Sequence, residues 1–368
     1  MNKKIVAAWV VSWPSGTLGG LSALLDQINW DTFLTQDAEY KLDKPHVTLS
    51  TICRFEPSYY CRVQLFEPLK TKEHARKRAR VGEELVCVTI KYTPGQKLEA
   101  GLHTLSKGTL LKGNEVLQFT LALLDKLGCT KITLIDASSI NTDIPTLYST
   151  QSSCVDPSLS DDGFVDFEAY PYALIGCIES GKSFYERYGF RLSEYILCDE
   201  LQSEDLYRWA IEIVQKTSLK WLWDTHLDPP RPVLNVPEGE IDRYLQVNKD
   251  RTLKEFLQDI RQNKSKIEYQ GYVLQLCKRM QWSSTSPDIV EALRIDSRVK
   301  EFRFSLAVLN NSYYFQRDSP LLPTKPTPEE RSELDPKTLV FYRDKAVAKG
   351  WTYSQFRKSL WKAMYGST

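Results

Sequence analysis

At 368 residues, with 42% hydrophobic and 26% charged side chains, the chain has the composition of a folded globular protein and is long enough for two cores. Its 48 Lys and Arg against 47 Asp and Glu leave a formal charge of +1, so no whole-molecule field draws it to nucleic acid or to an anionic membrane. Neither is expected as a partner, and either would have to be met by a local patch.

From the N-terminus, residues 5–13 (IVAAWVVSW) read as a buried strand closed by Pro14-Ser15-Gly16. The two preceding lysines give this stretch the look of a secretory signal. It is short for one, holds two tryptophans and lacks a small-x-small cleavage site. Residues 21–33 carry apolar side chains at helical spacing. Residues 46–55 and 59–66 read as strands around the turn Glu56-Pro57-Ser58. The run KTKEHARKRAR places Lys70, Lys72, Arg76, Lys77, Arg78 and Arg80 together. It reads as a solvated face, a phosphate clamp or a nuclear-import signal. Residues 84–92 (ELVCVTIKY) form a strong strand pattern ended by Thr93-Pro94-Gly95.

A helix is expected at 113–127 and a strand at 131–136 (KITLID), followed by a Ser-, Thr-, Asp- and Pro-rich loop over 138–162. A second helix is expected at 173–188, stopped by Gly189, and a strand at 190–198. This order implies an α/β layer structure. Beyond 199, helical spacing recurs at 206–215, 253–262, 267–282, 289–304, 339–348 and 353–365, interrupted by the prolines of 228–232 and 320–328. No window approaches the roughly 20 apolar residues of a transmembrane helix. The eight cysteines form no CxxC pair and have no His at a zinc-like spacing, so no metal is expected. Reduced, scattered thiols in a cytoplasmic compartment are the reading instead.

The sharpest local signal is Gly181-Lys182-Ser183-Phe184-Tyr185-Glu186-Arg187-Tyr188-Gly189-Phe190-Arg191. FYERYGFR resembles the helix-to-strand motif FYxxxGF of the GCN5-related N-acetyltransferases. A second match lies in Lys107-Gly108-Thr109-Leu110-Leu111-Lys112-Gly113-Asn114, which is similar to the family's pyrophosphate loop. It departs from the family pattern at Gly108, where a basic or amide residue is usual, and at Leu111, where a glycine is usual.

The resemblance implies an α/β (α+β) fold, with a mixed, mostly antiparallel sheet flanked by helices over residues 1–199. A largely helical domain of unknown role would follow over 200–368. It implies acetyl-CoA as co-substrate and acyl transfer to a small-molecule or protein amine through a ternary complex. Backbone N–H groups around Gly108, Lys112, Gly113 and Asn114 would hold the pyrophosphate at a helix N-terminus. Phe184 would pack under the sheet, Tyr185 would protonate the leaving sulfur, Gly189 would permit the turn and Phe190 would anchor the next strand. Asp136, at the end of KITLID, is the candidate base beside the acyl group, and His103 is an alternative. The acidic residues Asp161, Asp162, Asp166 and Glu168 read as a solvated loop or an attractant for a cationic acceptor.

Other classes stay open. A catalytically inactive scaffold would use the Trp-rich helical half as a protein-interaction surface and would bind no CoA. A thiol or serine hydrolase has the residue types but neither a GxSxG elbow nor a cysteine-protease signature. A nucleic-acid binder would use Lys70 to Arg80.

Overall fold

The computed structural model describes residues 28–30, 33, 38–41, 48–55, 59–67, 83–91, 97–105, 113–136, 139–140, 170–196, 201–225, 243–244, 246–280, 296–318 and 335–365. The strand expected at 5–13, most of the helix at 21–33, the basic run 70–80, Gly108, Lys112, the acidic segment 161–168 and the proline breaks lie outside the described residues. The chain divides into two compact units: Met1–Ile135 with Gln316–Lys325, and Asp136–Phe315 with Pro326–Thr368. The FYERYGFR segment thus shares a unit with the helices that follow residue 200.

The first unit is built on a mixed, mostly antiparallel sheet. Strands β1 (Ala38–Lys41), β2 (Thr48–Phe55), β3 (Tyr59–Glu67), β4 (Glu83–Lys91) and β5 (Leu98–Leu105) pair antiparallel with their neighbours in chain order. Helix α1 (Gly113–Lys126) then carries the chain back to β6 (Cys129–Ile135), which pairs parallel to β5. A parallel partner cannot be reached by a tight turn, so this pairing requires the helical crossover. Alternation sets the faces. Cys61, Val63, Val88, Ile90, Ala100, Leu102, Ile132 and Leu134 are buried, while Arg62, Lys91, His103 and Thr133 are exposed. Val116, Leu117, Phe119, Leu123 and Leu124 give α1 its buried stripe. The helix ends at Gly128 (φ 75°), whose N–H donates to the Asp125 carbonyl at 3.1 Å. Asp125 faces Arg317 at 3.7 Å within the same unit.

Strand β5 was not expected from the sequence. Its pattern is there in Leu98, Ala100 and Leu102 alternating with Glu99, Gly101 and His103. Pairing also brings Cys53 directly opposite Cys61 on β2 and β3, with the sulfurs 3.2 Å apart.

The second unit is mainly helical. Short strands β7 (Ser139–Ile140) and β8 (Tyr170–Pro171) pair ahead of α2 (Tyr172–Ser180). Three further short strands follow, β9 (Arg191–Leu192), β10 (Tyr195–Ile196) and β11 (Leu201–Gln202). Then come α3 (Glu204–Lys216), α4 (Leu219–Thr225), α5 (Leu253–Asn263), α6 (Lys266–Met280) and α7 (Ser297–Asn310). Strand β12 (Tyr314–Asp318) has Tyr314 and Phe315 in this unit and its last three residues in the first, and helices α8 (Pro336–Lys349) and α9 (Tyr353–Tyr365) complete the described elements.

Local signals fix the ends of these helices. Thr252 and Glu255 form a reciprocal capping box on α5. Asp296 caps α7 by accepting from the Arg298 N–H at 2.8 Å; of the expected helix 289–304, residues 289–295 lie outside the described residues and the rest belongs to α7. Asp335 caps α8 with Pro336 in its first turn, and Gly350 (φ 65°) closes it.

Leu206, Tyr207, Ala210, Ile211 and Val214 line the buried side of α3, which packs against α7. Phe302 and residues 304–309 of α7 are buried almost without interruption, so this helix lies inside the unit rather than on it. The expected continuous helix 173–188 is two pieces: α2 stops at Ser180, Gly181 takes φ 75°, and a 3-10 turn occupies Tyr185–Tyr188. Likewise the strand expected at 190–198 is the two short strands β9 and β10. No helix among the described residues is long and apolar enough to cross a membrane.

Two outcomes are expected from this packing. Phe256, fully buried on α5 against Tyr244 and Tyr272, should lower stability by about 3–5 kcal/mol in the Phe256→Ala variant, read as a urea midpoint. Thiol–disulfide exchange with oxidised glutathione is expected to join Cys53 to Cys61, detected as one linked peptide on mapping without reductant.

Candidate functional site

The FYERYGFR segment is held by its own backbone before any partner is considered. The Ser183 N–H donates to a Glu186 carboxylate oxygen at 2.6 Å, and the Glu186 N–H donates back to Ser183 Oγ at 3.4 Å. This reciprocal pair opens the 3-10 turn. Gly189, at φ 83°, closes it, with its N–H aimed at the Glu186 and Tyr185 carbonyls. A β-carbon at that φ would be strained, so the turn needs glycine.

The rings stack in sequence. Phe184 lies 5.3 Å from Tyr185 and 5.2 Å from Tyr188, and Tyr185 meets Phe190 edge-on at 5.9 Å. Tyr185 is 7% exposed and Phe190 is 3% exposed, whereas Phe184 is only half-buried. Phe184, expected to be the packed residue, is thus less buried than Tyr185.

Burial pushes the Tyr185 hydroxyl well above the ordinary tyrosine range, and the nearby negative charge of Asp136 pushes it further. Asp136 is itself buried, and its N–H donates to the Tyr313 carbonyl at 2.7 Å. The two residues singled out as catalytic therefore share one electrostatic environment in the second unit. Burial thus favours the protonated form of Tyr185, whose hydroxyl can donate a hydrogen bond.

Beside this pair lies a polar chain that the sequence did not point to. The Glu186 carboxylate, 4% exposed, is ion-paired to Arg208 and accepts from the Tyr207 hydroxyl at 3.1 Å. Tyr207 has one proton, so the Cys177 thiol, 2.9 Å away, donates to the Tyr207 oxygen. Arg208 also holds Glu204 at 2.6 Å and the Gly181 carbonyl at 3.0 Å, and it lies over the Tyr207 ring. Both oxygens of the buried carboxylate are thus met by a donor or a charge. The Ser183-x-x-Glu186 spacing was the one readable signal for this network, since Tyr207 and Arg208 come from α3.

Gln202 performs a parallel task. Its side chain donates to the Ser193 and Tyr314 carbonyls at 2.8 and 3.1 Å and accepts from the Tyr313 and Tyr314 N–H groups at 2.8 Å. One buried amide thus satisfies four backbone groups.

Burial pushes the Cys177 thiol up to about 12, with Glu186 and Asp136 adding to the rise while Arg208 opposes it. Cys129, on β6, is likewise pushed up to about 12 by burial and by Asp125. Neither is a thiolate near neutrality, so neither is an activated nucleophile. Among the described residues no group of three His, Cys, Asp or Glu is arranged to hold a metal ion.

In the first unit, Gly113 is the opening residue of α1, and a β-carbon there would meet nothing within 4 Å. Asn114 is exposed beside it, and Glu115, 9% exposed, places a carboxylate in the same first turn. His103 is on the exposed face of β5.

Both raised thiols have native values above the ordinary 9, so their protonation supports stability fully below about pH 9 and loses that support as pH climbs toward 12. Urea midpoints are expected to decline across that window, and Cys177→Ala is expected to flatten the decline. Arg208→Ala is expected to lower stability by about 1–3 kcal/mol by stranding Glu186, with the half-exposed arginine keeping the loss below that of a fully buried pair. Comparison with known proteins returns no matching family model, no similar curated protein and no similar solved structure.

Proposed function

We propose that the chain contains an acyl-CoA-dependent N-acyltransferase core that transfers an acetyl group to an amine. The observation that carries this reading is that Tyr185, buried and protonated, lies within electrostatic reach of the buried Asp136. The turn that presents Tyr185 is the part of the chain most similar to the family's motif. The antiparallel strands β2 to β5, followed by the β5–α1–β6 parallel crossover, add support. A helix that opens after the last residues of a strand in such a crossover directs its unpaired N–H groups outward, the arrangement that suits a pyrophosphate.

In this reading the amine attacks the thioester carbonyl while its proton passes to Asp136. The tetrahedral intermediate collapses with cleavage of the C–S bond, and Tyr185 gives its proton to the departing sulfur. Transfer from Asp136 to Tyr185 resets the pair, so one proton crosses from amine to CoA in each cycle. Gly108, Lys112, Gly113 and Asn114 would hold the pyrophosphate. Acetyl-CoA supplies the acyl group, and the acceptor is a small-molecule or protein amine.

A second reading, a catalytically inactive scaffold, is favoured by Glu115. Its buried carboxylate already lies in the first turn of α1, where the helix dipole would otherwise favour a phosphate.

Calorimetric titration with acetyl-CoA, and separately with CoA, decides between them. Micromolar binding is expected for the parent chain and for Tyr185→Phe, and loss of binding for Gly113→Glu, whose added side chain enters open space rather than the core. Tyr185→Phe is expected to slow acetylation of amines at least a hundredfold without changing CoA affinity. No heat with either ligand, in protein that is folded by circular dichroism, would establish the scaffold reading.

A further inference from the structure

The near-neutral total charge conceals an uneven distribution. Between Pro336 and Tyr365, the span of α8 and α9, there are seven Lys and Arg against one carboxylate, Asp344. This gives a formal +6 in thirty residues of a chain whose total is +1. Asp344 is engaged by Arg343, so the rest of the surface of α8 is left cationic.

The charges are ordered. Lys337, Phe341, Lys345 and Lys349 recur every fourth residue and so form one stripe along α8, with about 18 Å between the first and last. Phe341 is 59% exposed, an unusual position for a phenyl ring on a helix whose buried residues are Leu339 and Ala346. Lys345 Nζ lies 5.7 Å from the Phe341 ring, 5.5 Å from Tyr342 and 5.6 Å from Trp351, and Lys349 lies 5.6 Å from Trp351. On α9, Lys358 and Lys362 are exposed, and Trp361 stacks on Tyr365 at 4.2 Å.

We infer that the α8 stripe binds single-stranded nucleic acid. Lysines at regular spacing neutralise successive phosphates, and an aromatic ring between them gives a base a surface to stack on. The pattern does not suit an anionic membrane, because an interfacial helix needs a continuous apolar face free to insert. In α8 that face is used against α7 and α9, and the outer face interleaves charge with rings. Nor does the stripe carry the amides and carboxylates that read base edges, so the recognition expected is of strand and stacking rather than of sequence.

The test is fluorescence anisotropy of a labelled twenty-nucleotide oligothymidylate with the full chain, from about 50 to 200 mM NaCl. Micromolar binding that weakens with salt is expected, tighter than to duplex of the same length. The triple variant Lys337→Glu, Lys345→Glu, Lys349→Glu is expected to weaken binding at least tenfold and to lower the salt slope by about 2. Phe341→Ala is expected to weaken it about tenfold while leaving the slope unchanged. Lys337, Phe341 and Lys349 are exposed and Lys345 is half-buried, so thermal melts by circular dichroism should stay close to the parent. Equal binding by the triple variant, full affinity in Phe341→Ala, preference for duplex, or stronger association with phosphatidylserine vesicles than with the oligonucleotide would each overturn the inference.

Discussion

The second unit is organised around a single electrostatic constraint, the burial of the Glu186 carboxylate. A charge at that depth is tolerable only if its oxygens are met, and they are met from three directions: the Ser183 N–H, the Tyr207 hydroxyl and the Arg208 guanidinium. Those partners fix where α3 lies against the turn that follows α2. Tyr207, so fixed, accepts from Cys177 on α2 and stacks edge-on against Phe315 of β12. The position of Tyr185 against Phe190, and hence toward Asp136, depends on the same turn. A motif that reads as a ligand contact is, in its third residue, a structural post.

That arrangement separates two roles that a short motif compresses. Glu186 and Gly189 determine the path of the backbone, and Tyr185 supplies a proton whose removal is made difficult by its surroundings. Such a group is held as a hydroxyl, which can offer a hydrogen bond to a departing sulfur. The same reasoning removes the cysteines from contention as nucleophiles, because burial and neighbouring carboxylates keep Cys129 and Cys177 protonated.

How much of this was legible depended on how local the cause was. The helices of the second half were read nearly in place because their ends are decided within a few residues, by Thr252 with Glu255 and by Asp335, Pro336 and Gly350. Strands β2, β3 and β4 were read from their apolar runs and turns, while β1 was not. Strand β5 was missed because Gly101 and His103 dilute its pattern, and because its evidence lies in pairing with β4 and β6. The break at Gly181 was missed because the apolar spacing of 173–188 runs through it; only a left-handed residue reveals the stop. Cys53 and Cys61 looked unrelated until the hairpin register set them opposite each other. Glu186, Tyr207 and Cys177 come from three elements, and nothing in their spacing announces the contact. Asp136 and Tyr185 were reached through resemblance, and their proximity lies beyond any local pattern.

The first unit draws on two separated stretches of chain, Met1–Ile135 and Gln316–Lys325. During synthesis the ribosome must add roughly 180 residues after β6 before the second stretch emerges, at about 5–20 residues per second a delay of some 10–40 s. Until then Asp125 waits without Arg317. The nascent sheet spends that interval incomplete, which makes it the stage at which a chaperone would find most to hold.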